Sequence, residues 1–330
     1  MASELYRDIP IDLQPQMGLV PIGMNPVTRL WEFYHLRSAW DPASGLDPAD
    51  LPIPEHADDG SIRMEPGTGI VFVLIPGGTY WMGAQKEDPG APNFDPQAQL
   101  AESSVLEVTL DPYFLARHEL TRGQWFRLSH GEKPGWFQQG RSSYEVAEDA
   151  AAIGWTRPVE SVSWEMCNEL FFRHGLLLPT EAQWERGARG GTPTPWWTGT
   201  EASSLEGAAN VFDRKSESVV PDWGQQEGDF DDGFVMISPV GSFRANLFGL
   251  FDVHGNAWEW CRDRYGPFSI PPRPGDGLRI DDLTRSNERK RRGGSFYHPA
   301  RYARSSFWAR SPPSLRDFSV GVRPARELSH

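Results

Sequence analysis

The side chains best suited to chemistry lie near the end of the chain, in the segment RRGGSFYHPARYARSSFWARSPPSLRDFSVGVRPAR (residues 291–326). Between Arg285 and Arg326 there are eleven lysines and arginines but only two acidic residues, Glu288 and Asp317. Arginine and aromatic residues are typical of recognition surfaces. Arginine also pairs with carboxylates, sulfates and phosphates through two parallel hydrogen bonds. The segment therefore predicts a binding surface or the surroundings of a reactive centre.

We expect this segment to bind the ligand, with Arg301 and Arg304 recognising anionic groups. The predicted ligand-binding residues are Ser295, Tyr297, His298, Arg301, Tyr302, Arg304, Phe307, Trp308, Leu315, Asp317, Phe318 and Ser319. A protein, a peptide or an anionic small molecule would fit such a surface. Another interpretation stays open, in which some of the rings fill the core beneath loops and the arginines pair with acids elsewhere in this acidic chain.

The sequence evidence for catalytic residues is weaker than the evidence for a binding surface. Glu181 and Glu185 could act as acid and base, but they lie four residues apart on a predicted helix, where a solvated face or an arginine partner is expected. A lone loop histidine such as His254 is more often structural. Ser295 follows two glycines but is not in a G-x-S-x-G turn. We therefore assign no catalytic residue from these patterns.

Composition excludes several classes of protein. The formal net charge is -13 and the pI is about 5.1, which argues against a nucleic-acid partner because phosphate binding needs cations. Cys167 and Cys261 form no metal-binding spacing. The sequence has no apolar run of the ~20 residues that cross a membrane, and its start lacks the features of a signal peptide. We expect a cytoplasmic protein with no membrane contact.

The elements that must position these residues are short. The 33 glycines, 29 prolines and 14 tryptophans favour a loop-rich α+β fold of short strands and a few short helices. Residues 1–65 are interpreted as an N-terminal appendage with a β-hairpin, and residues 66–330 as the main domain. The run GIVFVLIPGGTYWMG (residues 69–83) predicts a further hairpin.

Three helix starts are predicted from capping patterns. Thr121 precedes Gln124 by three residues, and Thr180 precedes Gln183 by the same spacing, as in a capping box. Ser163 is the third expected cap. In the helix that follows Ser163, the spacing of apolar residues places Cys167 in the core.

Four stretches, taken together, resemble one family. They are LIPGGTYWMG, PVESVSW with LLLPTEAQWERGARGG, GLFDVHGNAWEWC, and RRGGSF with GVRPAR. This is similar to the formylglycine-generating enzyme family, also called sulfatase-modifying factors, whose fold is a variant of the C-type lectin fold. In its oxidising members, two cysteines after the GGS motif bind Cu(I). The resemblance places His298 and Ala303 at those positions, so both thiols are missing and copper is not expected.

The resemblance also implies structural Ca²⁺. Side chains and carbonyls around two motifs are the expected ligands, and hard oxygen ligands suit this ion. The predicted metal-binding residues are Asn210, Val211, Asp232 and Phe234 for the first site, and Asp252, Gly255, Ala257 and Glu259 for the second. A role for Asp252 and Glu259 in capping turns is the alternative.

The terminal segment also resembles that of variable proteins of diversity-generating retroelements, which share this lectin-like fold and diversify the interleaved positions. Related domains occur beside bacterial protein kinases as well. The expected function is therefore ligand binding by a family member without the copper site. The alternative is an oxygen-dependent oxidase of the sulfatase-modifying factor type with a non-standard active site.

Overall fold

The computed structural model describes residues 4–7, 11, 13–102, 105–135, 154–266, 270–279 and 286–328. The strands are β1 (Leu19–Met24), β2 (Trp31–His35), β3 (Val71–Ile75), β4 (Gly78–Met82), β5 (Leu106–Leu110), β6 (Tyr113–Ala116), β7 (Trp258–Arg264), β8 (Arg289–Arg292), β9 (Trp308–Ser311), β10 (Val320–Gly321) and β11 (Ala325–Glu327). The α-helices are α1 (Leu36–Ala39), α2 (Arg122–Leu128), α3 (Trp164–Arg173), α4 (Glu181–Arg189) and α5 (Arg214–Val219). Short elements and long connections make this the loop-rich α+β fold that the composition favours.

The larger sheet has five strands in the order β1-β2-β3-β6-β11, and each neighbouring pair is antiparallel. Every residue of β3 and β6 is buried, which accounts for their almost continuous apolar sequence. Strands β1 and β2 pair through a turn in which the Asn25 side chain accepts the backbone N–H of Val27 at 3.0 Å. Residues before position 66 therefore supply two strands of this sheet.

The hairpin predicted for residues 69–83 is wrong. Strand β3 pairs with β2 and β6, whereas β4 pairs with β5 in a separate two-stranded sheet. Gly77 lies between the two strands, and a Cβ there would be 2.5 Å from the carbonyl oxygen of Leu110. The chain passes close to the β5–β6 connection at this point, so β4 leaves the sheet instead of folding back on β3.

The three predicted helix caps are confirmed. Thr121 and Thr180 each form a capping box with the glutamine three residues later, at the starts of α2 and α4. The Ser163 side chain accepts the N–H of Met166 at the start of α3. Helix α4 ends at Gly190, which adopts the left-handed conformation with φ 56°.

A four-stranded sheet, in the order β10-β7-β8-β9, carries the segments that the motifs single out. Strands β7 and β8 are antiparallel and place Glu259 opposite Arg292 and Arg264 opposite Arg289. Cys261 in β7 and Cys167 in α3 are buried free thiols in the main core, as expected for Cys167. Among the helices described, none is long and apolar enough to cross a membrane.

A buried ion network joins α4 to this sheet. Glu181 accepts hydrogen bonds from Arg279 at 2.9 Å, Lys290 at 2.7 Å and Arg292 at 2.7 Å. Arg292 also donates to Glu185 at 3.0 Å. Burial by itself would raise the pKa of Glu181, but the cations Lys290, Arg292 and Arg279 outweigh it and lower that pKa to about 2. Arginine partners, and not a solvated face, therefore explain the Glu181/Glu185 pair.

Replacing Glu181 should destabilise the fold strongly. In Glu181→Gln, three buried cations lose their shared anion, so we expect the free energy of unfolding to fall by about 3–5 kcal/mol. The contribution of Glu181 is fully present above its ordinary pKa of 4.5 and is lost as the pH falls toward about 2. Urea denaturation at pH 7 and pH 3 measures both effects.

The matched control is Glu169→Gln, which removes the acid of an exposed α3 pair with Arg173. This change should cost less than about 0.5 kcal/mol. Equal losses in the two variants would contradict the structural role of the buried network.

Candidate functional site

The candidate site lies where the turn after β8 meets the loop of residues 295–307. Gly293 and Gly294 both have positive φ, 95° and 73°. A Cβ at Gly294 would lie 2.9 Å from the Cα of Ala303. This close approach requires glycine, and it brings Ala303 onto the turn that carries Ser295 and His298.

His298 is held through one ring nitrogen. Its Nδ1 lies 2.8 Å from the Ser295 hydroxyl and 3.3 Å from the indole N–H of Trp258. Because the indole only donates, Nδ1 acts as an acceptor and the ring proton is assigned to Nε2. Burial, with the positive charge of Arg291, lowers the pKa of His298 to about 4, although Asp317 opposes this shift. The imidazole is therefore neutral at pH 7.

Half-buried aromatic rings form a cluster that includes His298. Tyr297 contacts His298 with ring centroids 5.2 Å apart, and it also contacts Trp223 at 5.0 Å and Phe318 at 5.3 Å. Tyr302 lies against the other side of His298 at 5.5 Å. We call Trp223, Tyr297, His298, Tyr302 and Phe318 the aromatic surface.

Sequence reasoning missed two of the residues around His298. Trp223 comes from a separate 3-10 turn, Pro221–Trp223, and no local pattern connects it to the terminal segment. Trp258 lies in the stretch GLFDVHGNAWEWC, whose Asp252, Gly255, Ala257 and Glu259 are predicted metal ligands. Its position at the first residue of β7, facing the GGS turn, is a result of strand pairing.

Arg304 is not a ligand contact, which corrects the sequence-based prediction. It is only 1% exposed and donates to Glu102 through two hydrogen bonds of 2.9 Å, and it also binds Asp95. Ser306 donates to the same Glu102 at 2.8 Å. The guanidinium therefore ties the loop before β5 to the terminal segment.

Other predicted ligand residues divide between surface and core. Arg301 is exposed but pairs with Glu227. Trp308 is partly buried and donates to the carbonyl of Ala101 at 3.3 Å. The remaining members of the predicted set that are not on the aromatic surface are Ser295, Phe307 and Ser319, which are buried, and Leu315 and Asp317, which are partly buried. Core filling therefore accounts for Ser295, Phe307 and Ser319, whereas recognition stays a prediction for the residues of the aromatic surface.

The first predicted metal group comes together in the structure. Asp232 accepts the N–H of Val211 at 3.0 Å and of Phe234 at 2.8 Å. Burial and the neighbouring Asp213 raise the pKa of Asp232 to about 8. The Oδ1 atom of Asn210 is buried without a hydrogen-bond partner among the described residues. Carboxylate and amide oxygens are the type of ligand that a hard cation prefers.

In the second predicted metal group, some of the carboxylate oxygens already accept hydrogen bonds from other residues. Both carboxylate oxygens of Glu259 accept hydrogen bonds from Arg323, and one also accepts the indole N–H of Trp184 at 2.6 Å. Asp252 has a buried Oδ1 without a partner among the described residues, and its other oxygen accepts the N–H of Gly241 at 2.7 Å. A cation here would share Glu259 with a guanidinium.

Gly255 and Ala257 join this second group through the backbone of the same turn. Gly255 forms an isolated bridge with Asn210 of the first group, so the two groups are neighbours. The N–H of Ala257 donates to Glu119 at 2.9 Å. Among the described residues, no group of three or more His, Cys, Asp or Glu side chains is arranged to hold a metal ion. Any cation in these groups would therefore need amide or carbonyl oxygens as ligands.

His254 and the two cysteines offer no alternative centre. His254 is completely buried, its Nε2 accepts the N–H of Trp197 at 3.1 Å, and burial lowers its pKa to about 3. Burial also raises the pKa of the Cys167 and Cys261 thiols. Thiolate chemistry is therefore disfavoured at both cysteines.

Residues 63–328 match the family described as the Sulfatase-modifying factor enzyme 1-like domain, which is most of the chain. The chain belongs to this family. It is 30% identical to a Formylglycine-generating enzyme of Thermomonospora curvata over 231 residues, which covers 58% of this chain and 71% of that protein. It is also 32% identical, over 33% of each chain, to the Inactive C-alpha-formylglycine-generating enzyme 2 of Mus musculus.

Solved structures show the same fold. PvdO from Pseudomonas aeruginosa has a TM-score of 0.60 and 23% identity, covering 79% of this chain and 95% of that chain. Treponema denticola variable protein 1 has a TM-score of 0.53 and 20% identity, covering 78% and 96%. The fold and the sulfatase-modifying factor resemblance predicted from the motifs are therefore confirmed.

His298 should titrate far below an ordinary histidine. We expect a midpoint near pH 4, with the ring proton on Nε2 above it, in an NMR titration of the imidazole nitrogens. Because its pKa is depressed from 6.5, the stability contributed by neutral His298 is full above pH 6.5 and is lost as the pH falls toward 4. Arg291→Gln should raise the midpoint, because a nearby positive charge is removed. A wild-type midpoint near 6.5 would contradict this geometry.

Proposed function

We propose that this chain is a non-oxidase binding domain of its family, which recognises a protein, peptide or anionic small molecule through the aromatic surface. The observation that carries the proposal is the pair His298 and Ala303, at the positions that the resemblance assigns to the copper-binding thiols. A single imidazole and a methyl group cannot reproduce a two-sulfur site for a soft ion. Ala303 is also packed against Gly294, so no other ligand is available from that position.

The rings around His298 support recognition. Trp223, Tyr297 and Phe318 are each partly exposed, and they come from two separate segments that pack together. Tyrosine and tryptophan give large contact areas at a low cost in side-chain entropy, and they are enriched among residues that dominate binding energy. Ser295 is fully buried beneath His298, so this pair supports the ring position and is not placed as an exposed nucleophile.

An oxidase with a non-standard active site is the second candidate. It is favoured by the 30% identity to a protein named Formylglycine-generating enzyme. The match to a protein named Inactive C-alpha-formylglycine-generating enzyme 2 supports the first candidate instead. The two candidates differ in their need for copper and oxygen.

The binding proposal predicts copper-independent recognition that depends on the aromatic surface. A random peptide library displayed on phage, selected in the presence of a copper chelator, should yield peptides with micromolar or better Kd. Tyr297→Ala/Phe318→Ala should weaken these peptides by at least about tenfold, because truncating central aromatic contacts typically costs 1–2 kcal/mol or more. Fluorescence anisotropy measures the Kd values.

The control is Phe172→Ala, which removes a ring that is 82% exposed on α3, outside the aromatic surface. It should leave binding unchanged. The proposal would be overturned if no peptide could be selected. It would also be overturned if the wild-type protein, with copper and oxygen, converted the cysteine of a sulfatase-type peptide.

We further propose a structural Ca²⁺ at the first metal group. Asn210 and Asp232 would supply side-chain oxygens, and Val211 and Phe234 would supply carbonyl oxygens. The unpaired Oδ1 of Asn210 and the neighbouring Asp213 support this assignment. The ion would neutralise two adjacent carboxylates and so hold the loop that leads to α5.

Chelation should lower the melting temperature. At a calcium concentration of 100 times Kd, binding contributes about 2.7 kcal/mol, which corresponds to a shift of about 5 °C. EDTA should reverse this shift, and Asp232→Asn should remove the response to calcium. Differential scanning fluorimetry measures both, and an unchanged melting temperature after chelation of calcium-saturated protein would contradict the proposal.

A further inference from the structure

Strand β8, with the sequence RKRR, divides its four cations between two environments. Lys290 and Arg292 are buried and bind Glu181. Arg289 and Arg291 alternate with them and therefore point to the opposite face. The Arg291 side chain makes no hydrogen bond or ion pair in the described part of the chain, and its Nε is buried without a partner. The cations on one face of the strand are thus neutralised by Glu181, whereas Arg291 on the other face has no acid partner among the described residues.

Arg264 extends this uncompensated charge. It lies directly opposite Arg289 in the β7–β8 ladder, is exposed, and has no ion pair with the described residues. Like charges at opposed positions destabilise a sheet. Arg289 makes one side-chain hydrogen bond, to the carbonyl of Arg262, but no ion pair among the residues described. We call Arg264, Arg289 and Arg291 the arginine row.

In the part of the chain that the structure describes, the acids near the row are engaged elsewhere. Asp317 is the acid that acts on Arg291, yet it is not hydrogen-bonded to it, and its Oδ1 accepts the N–H of Ser319 at 2.8 Å. Glu288, which precedes β8, pairs with Arg310 on β9. Asp263 points to the buried side, where it accepts the N–H of Glu181 at 2.7 Å. In a chain with a net charge of -13, three neighbouring arginines without an acid partner among the described residues need another explanation.

Tryptophan rings hold two of these guanidinium groups in place. Arg289 lies 3.8 Å from the ring centroid of Trp164, and Arg291 lies 5.1 Å from that of Trp258. Stacking on an aromatic face restricts the guanidinium, and its terminal Nη groups can still form paired hydrogen bonds to a carboxylate. The row is therefore organised before any anion binds.

We infer that the arginine row binds an extended acidic peptide with carboxylates at alternate residues. Arg289 and Arg291 are two residues apart on one strand, a separation of roughly 7 Å. The same distance separates side chains i and i+2 of an extended peptide. Acids at positions i and i+2 of the peptide can therefore each face one of the two arginines. The row ends at Trp258, which lies beside His298, so a bound peptide would continue onto the aromatic surface. The inference therefore rests on the proposed function.

The probe is a fluorescein-labelled peptide, Ser-Glu-Ser-Glu-Ser-Glu-Ser, compared with the same peptide carrying Gln in place of Glu. The wild type should bind the Glu peptide at least tenfold more tightly. Arg289→Gln/Arg291→Gln should lose at least tenfold in affinity for it. Arg291→Lys, which keeps the charge but not the paired hydrogen bonds, should give an intermediate Kd.

The matched control is Arg63→Gln/Arg173→Gln, which removes two exposed charges elsewhere. It should change the Kd by less than twofold, and circular dichroism should show that all variants remain folded. Equal binding of the Gln peptide would overturn the inference. The inference would also be overturned if a peptide with three adjacent glutamates, or a single-stranded DNA oligomer, bound as tightly as the alternating Glu peptide. Unchanged binding of the Glu peptide by Arg289→Gln/Arg291→Gln would overturn it as well.

The peptides selected by phage display separate the two ideas. If they require Tyr297 and Phe318 while the acidic peptide does not bind, the inference about the arginine row fails and the proposed function stands. If the acidic peptide requires the arginine row while the double alanine variant retains all selected peptides, the proposed function fails and the row remains an acidic-peptide site.

Discussion

The ion network between α4 and β8 is the constraint on which the rest of this structure depends. Glu181 and Glu185 are buried on α4, and such carboxylates are stable only when cations reach them. Lys290 and Arg292 supply those cations from β8. Because both point inward, the register of β8 is determined, and a shift by one residue would expose them and bury Arg289 and Arg291 instead.

The register of β8 also determines the candidate site. Its last residue, Arg292, leads directly into Gly293 and Gly294, and the tight turn there presents Ser295 and His298 to Trp258 on β7. The same pairing leaves Arg291 beside that tryptophan. The buried ion network and the arginine row proposed for recognition thus lie on opposite faces of one short strand.

Local patterns were reliable where the interaction itself is local. The caps at Thr121, Ser163 and Thr180 each depend on a hydrogen bond to a residue three positions later, so spacing is enough to identify them. The hairpin predicted for residues 69–83 is wrong because composition identifies β3 and β4 as strands but not their partners. The choice of partner strand depends on distant segments. The same limitation explains why Trp223 was not associated with Tyr297.

The sequence by itself determined the family, the helix caps and the lack of thiols at His298 and Ala303, because each of these is a matter of residue identity and short spacing. Only the tertiary structure decided which cations of the terminal segment are neutralised. Arg292 meets Glu181 across 111 residues and Arg304 meets Glu102 across 202. Charge pairing over such separations follows from the packing of strands and loops. The sequence therefore predicted Arg304 as a ligand contact, whereas the structure buries it against Glu102 and leaves Arg291 without an ion pair among the described residues.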